Sequence, residues 1–346
     1  MAHVDIAYSK CMLPPSTYML TATKSRNEAD ERNDLGYGTR ARTTHQPYNS
    51  SRPDNPLHRR RMLLTNLQMP PPRDFGWRLK PVESSHFKIH QRDNGQFCVV
   101  LNHALLRGVR ADMIHWWFLN FPNLKVRLHD IPGYSGEQVP GYLLWHPTDH
   151  VSAMLGGRLG PGGTAKAGCS IQIREAMQYD VYGWKYPVDA QVKVFYVGED
   201  GWAMGKALPI IGPVMMLRIH FKDVFEGQTH IGVHYHYEVV IGASGADPLS
   251  RFINKKIANE YSPEFFSAWH RHNVIEVGTF ENFLPALYEQ RHQLDSLEYA
   301  RDMNPMKNNT ASQTGFSQTV FDDRVADYRN SKNPSQLQAY DKPSFL

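Results

Sequence analysis

Two long β-type runs, VMMLRIHFKDVF (214–225) and HIGVHYHYEVVIG (230–242), are separated only by EGQT. Both are rich in β-branched and aromatic residues, and the connector is too short for a helical crossover. The pair therefore has to fold as an antiparallel hairpin. Other β-type runs precede it: QFCVVLNH (96–103), YLLWH (142–146), SIQIREAM (170–177) and QVKVFYVG (191–198). ADMIHWWFLNF (111–121) is aromatic-rich and reads as a short buried helix.

A helical region follows the hairpin. Ser262 can cap it and Pro263 can occupy its first turn. It continues through PEFFSAWHRHNVIEVGTFENFLPALYEQRH, with Pro285 expected to kink it or to start a second segment. Antiparallel strands followed by a long C-terminal helix predict an α+β fold, in which a curved antiparallel sheet wraps around the helix. The space between sheet and helix is a natural place for an apolar ligand. Residues 1–74 are expected to form a polar extension, 75–293 the folded domain and 294–346 a polar tail.

In a strand, side chains alternate between faces. Ile171, Ile173, Glu175 and Met177 then share one face of SIQIREAM, which puts a carboxylate among apolar neighbours. Left unpaired there, it would cost several kcal/mol. It needs a cation, a metal or a raised pKa; a bulge or a salt bridge to a nearby arginine competes with those readings. In the helix, Phe265, Trp269, His272, Glu276, Thr279 and Phe283 form one stripe at three- and four-residue steps. His272 and Glu276 lie one turn apart on it and can converge on one ion, or simply hydrogen bond to each other. WHPTDH (145–150) adds two histidines, His146 and His150, and one of these would complete a set of two His and two Glu. Nitrogen and oxygen donors without thiolate suit zinc, and also manganese or iron.

Other features exclude function classes. The formal charge is +4 and the only dense basic cluster is HRRR at 58–61, which does not predict a nucleic-acid partner. No run approaches the roughly 18 to 20 apolar residues of a membrane span, so no membrane partner is expected. Without a leader pattern, and with only three scattered cysteines, Cys11, Cys98 and Cys169, a cytoplasmic protein without disulfides is expected. GRLGPGGTAKAG (157–168) lacks the GK[ST] ending of a phosphate loop and reads as a turn or a lid. No serine sits in a GxSxG elbow.

WWF (116–118), YLLWHPTDH (142–150), IREA around Glu175 and HNVIEVGTFENFLPALY (272–288) together resemble the diacetylphloroglucinol hydrolase and phloretin hydrolase family, over about residues 96–292. The resemblance implies a START-like helix-grip domain and a metal, usually zinc, held by His150, Glu175, His272 and Glu276, with His146 in support. It implies that Tyr142 and Tyr235 bind a phenolic substrate and that His220 takes part in acid–base chemistry. Spacing alone argues otherwise for His220, which alternates with Arg218 and Lys222 on a polar face. Two positions depart from the family: Ala153 stands where a substrate-contacting asparagine is expected, and His115 replaces a different polar residue. The implied activity is metal-dependent hydrolysis of a carbon–carbon bond between an acyl group and a phenolic ring, in a cytoplasmic enzyme of secondary metabolism that can form a homodimer. An isomerase, cyclase or dehydratase acting on a polyketide-like intermediate, or a non-enzymatic carrier of an aromatic ligand, are the alternatives.

Overall fold

The computed structural model describes residues 68–134, 136–259 and 261–307. The expected N-terminal extension, apart from 68–74, and the tail beyond 307 lie outside the described residues, as do HRRR and Cys11.

The main sheet has eight strands: β1 (His86–Gln91), β2 (Phe97–Asn102), β5 (His150–Gly156), β6 (Ser170–Ala176), β7 (Pro187–Gly198), β8 (Gly201–Leu208), β9 (Gly212–Glu226) and β10 (Thr229–Ile241). Their spatial order is β1-β2-β10-β9-β8-β7-β6-β5, and every neighbouring pair is antiparallel. The β9–β10 hairpin forms as expected, with a bulge between His230 and Gly232. Gly232 has φ 149°, and a Cβ there would strike the Leu106 carbonyl, so the close approach of that loop requires glycine. A second sheet, in the order β11-β3-β4, consists of β3 (Lys125–His129), β4 (Gln138–Pro140) and β11 (Leu297–Ala300).

The helices are α1 (Ala111–Asn120), α2 (Tyr142–Trp145), α3 (Tyr179–Tyr182), α4 (Pro248–Ala258), α5 (Pro263–Gly278) and α6 (Phe280–Glu289). Three expectations need correction. YLLWH is not a strand but the short helix α2, with all four helical residues buried; so short an apolar run has no period that separates helix from strand. The C-terminal helix breaks at Thr279 and not at Pro285, which lies inside α6. The Thr279 hydroxyl donates to the Glu276 carbonyl at 2.7 Å and sits 2.9 Å from that of Trp145, a local competition that interrupts helices. The folded part also exceeds 75–293. Arg73 is buried and donates to the His146 carbonyl at 2.7 Å. At the other end Leu297 and Tyr299, alternating along β11, are fully buried, with the Tyr299 hydroxyl accepting from Trp77 Nε1 at 2.8 Å.

α5 starts where its signals place it, with Ser262 Oγ accepting from the Phe265 amide. α4 was not anticipated, although Asp247 before Pro248 is a start signal: its carboxylate accepts from the amides of Leu249 and Ser250. Cys98 and Cys169 are buried and unbridged. A cavity of about 470 Å³ lies between the sheet and α5, walled by Val99, Ile173, Val192, Leu217, Val239, Phe266 and Trp269 among others. It adjoins a smaller chamber of about 70 Å³, with which it shares Ile173, Glu175, Met204, Leu217, Tyr237 and Trp269.

Candidate metal centre

β5 begins at His150, and the sheet register sets that residue directly opposite Glu175 of β6. Glu175 lies on the apolar face with Ile171, as strand alternation requires, and only 8% of it is exposed. From the other side of the small chamber, α5 presents His272 and Glu276, one turn apart. His150 Nε2 is 3.6 Å from Glu175 Oε2 and 3.6 Å from Glu276 Oε1. His272 Nε2 is 3.8 Å from Glu175 Oε2 and 3.8 Å from Glu276 Oε2. Bonds of about 2.0 to 2.2 Å in a tetrahedral site separate donor atoms by roughly 3.3 to 3.6 Å. His150, His272 and Glu276 offer donor atoms all within 4.8 Å of one another, and Glu175, within 3.8 Å of both imidazoles, would complete the set by moving inward.

The tautomers follow from the surrounding hydrogen bonds. His150 Nδ1 faces the Tyr142 carbonyl at 2.8 Å, and His272 Nδ1 faces Asp149 Oδ2 at 2.9 Å. Both acceptors require Nδ1 to donate, which turns each Nε2 towards the two glutamates. His150 Nε2 is buried with no hydrogen-bond partner. An orphaned nitrogen facing two carboxylates is what a bound cation would satisfy.

Electrostatics points the same way. Burial, reinforced by His272 and His146, holds the His150 imidazole well below its usual range, in the neutral form that binds metals. Burial, with Glu175 and Asp149 adding to it against the pull of His272, pushes Glu276 up to about 8. Burial opposes the charge on His272, but Glu175, Asp149 and Glu276 outweigh it and raise the group to about 9. Without a cation, protons must therefore neutralise this cluster.

Asp149 was not singled out from the sequence. It is buried and accepts from the Gln178 amide at 2.8 Å, the Tyr179 amide at 3.1 Å and Thr148 Oγ1 at 2.9 Å, besides His272. Its own burial favours the acid, but His146, His272 and these amides hold its carboxyl far below the usual range. Its signal was the aspartate between the two histidines of WHPTDH. His146 supports and does not join the four: its Nε2 lies 3.3 Å from Asp149 Oδ2 and its ring stacks on His272 at 4.7 Å. His146, Asp149 and His272 also form a buried group with donor atoms within 4.8 Å of one another. There, however, the Asp149 carboxylate and His272 Nδ1 already face each other.

Tyr142 is buried, stacks flat on His150 at 3.8 Å and donates its hydroxyl to Glu175 Oε2 at 2.6 Å. Burial and Glu175 keep its phenol well above the ordinary range, so it stays protonated. Tyr235 lines the same chamber. His220 does not. It is exposed on the outer face of β9, between buried Ile219 and Phe221, with its ring 6.3 Å from that of His236. Strand alternation, and not the resemblance, gave its direction correctly. Of WWF, Phe118 lines the chamber, Trp117 is core, and Trp116 packs edge-on against Tyr288. Ala153 is buried in β5, and His115 Nδ1 lies 2.7 Å from the Gly198 carbonyl; neither lines the chamber.

No protein-family model matches the chain, and no curated protein matches it. The functional reading rests on the geometry of the site and on the motifs quoted above.

Proposed function

We propose that this protein is a metal-dependent hydrolase that cleaves the carbon–carbon bond between an acyl group and a phenolic, acylphloroglucinol-like ring. The observation that carries the reading is the convergence of His150, Glu175, His272 and Glu276, three of which line the small chamber that adjoins the large apolar cavity. The helix-grip, START-like description belongs to the same proposal; α5 lying across the concave wall of the antiparallel sheet supports it.

Overall, water adds hydroxide to the acyl carbon and a proton to the ring carbon, giving a carboxylic acid and the deacylated phenol. An aryl carbanion leaves poorly, so the ring has to delocalise charge onto its phenolic oxygens and take up that proton. A divalent ion, zinc by preference, held by the two histidines and two glutamates would lower the pKa of water to about 7 and polarise the ketone. The chain supplies the rest. Phe265, Phe266, Tyr237 and Trp269 wall the adjoining cavity of about 470 Å³, which has room for the ring beside the cluster. Tyr235 offers a neutral hydroxyl to a phenolic oxygen, while Tyr142, which donates its proton to Glu175, offers its oxygen to a phenolic hydroxyl; the Tyr142–Glu175 pair is the proton carrier at hand in place of His220.

The test is metal analysis of the full chain and its Glu175→Ala variant, with an acylphloroglucinol cleavage assay on both. About one divalent ion per chain is expected in the wild type, by analogy with mononuclear sites, with loss of ion and cleavage in the variant. Full metal content in the variant would remove Glu175 from the ligand set. Metal with rearranged instead of hydrolysed products would give the isomerase or cyclase reading the place of this one.

A further inference from the structure

α4 shows solvent a face that is partly apolar. Its buried side carries Ser250 and Asn254; the Asn254 amide bonds both the N–H and the C=O of Ala243 and the Asn94 carbonyl. Its outer side exposes Leu249 and Phe252 beside Arg251, Lys255 and Lys256. Lys256 Nζ lies over the Phe252 ring at 4.7 Å. Ile257 of the same helix packs against the core, so the exposed Leu249 and Phe252 are a second apolar face, set among cations, that the fold does not cover.

The strand register brings a second apolar feature to the same end of the molecule. Met215 of β9 pairs with Ile241 of β10, and the Gly242 amide donates to the Val214 carbonyl. The β8–β9 turn therefore projects at the end of the sheet where β10 leads into α4. At its tip Ile210 is fully exposed and held in the left-handed region at φ 69°. A β-branched residue in that conformation is strained, and it is aimed at solvent. The large cavity is lined at this end by Pro187, Met215, Ile241, Tyr261 and Ser262. Two exposed acids nearby have partners within the chain: Asp247 caps α4, and Asp180 pairs with Arg271 at 3.2 Å.

We propose that this end of the protein, with Phe252, Leu249 and Ile210 as apolar anchors and Arg251, Lys255 and Lys256 as their cationic surround, docks on an anionic lipid bilayer. An apolar ligand could then pass between membrane and cavity without crossing bulk water. Clustered cations around apolar anchors complement an anionic surface. In a face-to-face second copy they would instead meet their own like charges. Docking of this kind lies on the surface: among the described residues no helix is long and apolar enough to cross a membrane. The expectation of no membrane partner rested on the absence of a span, which an interfacial helix does not need. The inference stands apart from the metal reading, because none of these residues touches the four-residue cluster.

The test is flotation of the full-length protein with vesicles of phosphatidylcholine alone or with roughly a third phosphatidylglycerol. Partition onto the anionic vesicles only is expected, weakening as salt is raised. Phe252→Ser and Ile210→Ser should each weaken it on the order of tenfold. Lys255→Glu with Lys256→Glu should weaken it by more than about tenfold. All three are surface changes whose melting temperature and bound metal should match the wild type. No partition onto anionic vesicles would overturn the proposal, as would equal binding to both compositions unaffected by the lysine changes. So would a solution dimer that Phe252→Ser dissociates, which would make this face a contact between copies.

Discussion

Asp149 Oδ2 lies 2.9 Å from His272 Nδ1, and His272 Nε2 in turn faces both Glu175 and Glu276. A buried carboxylate thus fixes the direction of an imidazole without itself lining the chamber. Asp149→Asn keeps the shape but can present an amide N–H to Nδ1, favouring the wrong tautomer. Divalent-metal affinity is expected to fall about 10- to 100-fold, measured by competition with a chromophoric chelator. Unchanged affinity would reduce Asp149 to a structural role, in holding the Gln178 and Tyr179 amides.

Tyr142→Phe keeps the ring that stacks on His150 and removes the hydroxyl donated to Glu175. Metal content should persist, with stability reduced by about 1 kcal/mol for the lost hydrogen bond. Turnover of an acylphloroglucinol should fall by about 10²-fold, the usual scale for a positioned proton-transfer group. Steady-state kinetics beside thermal unfolding separates the two effects. Wild-type turnover would take Tyr142 out of the chemistry.

His220→Ala should change neither bound metal nor turnover by more than about twofold, because an exposed strand residue away from special contacts shifts stability by only about 0.5 kcal/mol. The comparison is made at several pH values. Loss of one limb of the pH–rate profile would restore His220 to the acid–base set.

Stability should depend on pH differently with and without metal. Glu276 stands at about 8 and His272 at about 9, both raised from their ordinary values. The folded state therefore holds these protons more tightly than the unfolded chain. The stability they lend is complete below the ordinary values, about 4.5 for Glu276 and 6.5 for His272. It is lost as pH rises through about 8 and about 9. Below about pH 6.5 the buried histidines held neutral in the fold, His150 and His146 among them, give the opposite slope, so metal-stripped protein is expected to melt progressively lower from about pH 7 to pH 9. Saturating zinc, taking the place of those protons, should abolish the decline. Parallel melting curves for the two forms across that range would argue against a cation at this cluster.

Local periodicity made much of the architecture legible. The β9–β10 hairpin, the strand composition of β6 and the capped start of α5 all follow from patterns a few residues long. Glu175 on an apolar face and His272 with Glu276 one turn apart are consequences of the same two periods. Alternation even placed His220 outward, beside Arg218 and Lys222. The elements that escaped notice are those whose identity depends on distant partners. α2 is too short to show a period, and α4 hides polar groups that only Ala243 and Asn94 explain. β11 is recognisable as core only because Leu297 and Tyr299 meet residues of β3 and the Trp77 segment.

By itself the sequence put a carboxylate on the apolar face of one strand and an imidazole and a second carboxylate one turn apart on one helical stripe. The tertiary structure decided that they meet. It set His150, and not His146, opposite Glu175 by pairing β5 with β6 in one register, it turned His272 through Asp149, and it closed α5 over the sheet. The physical reason is range: a side chain's face follows from the backbone repeat within a few residues. Which face it finally confronts is set by strand register and helix packing across more than a hundred residues of chain, and no local pattern records that.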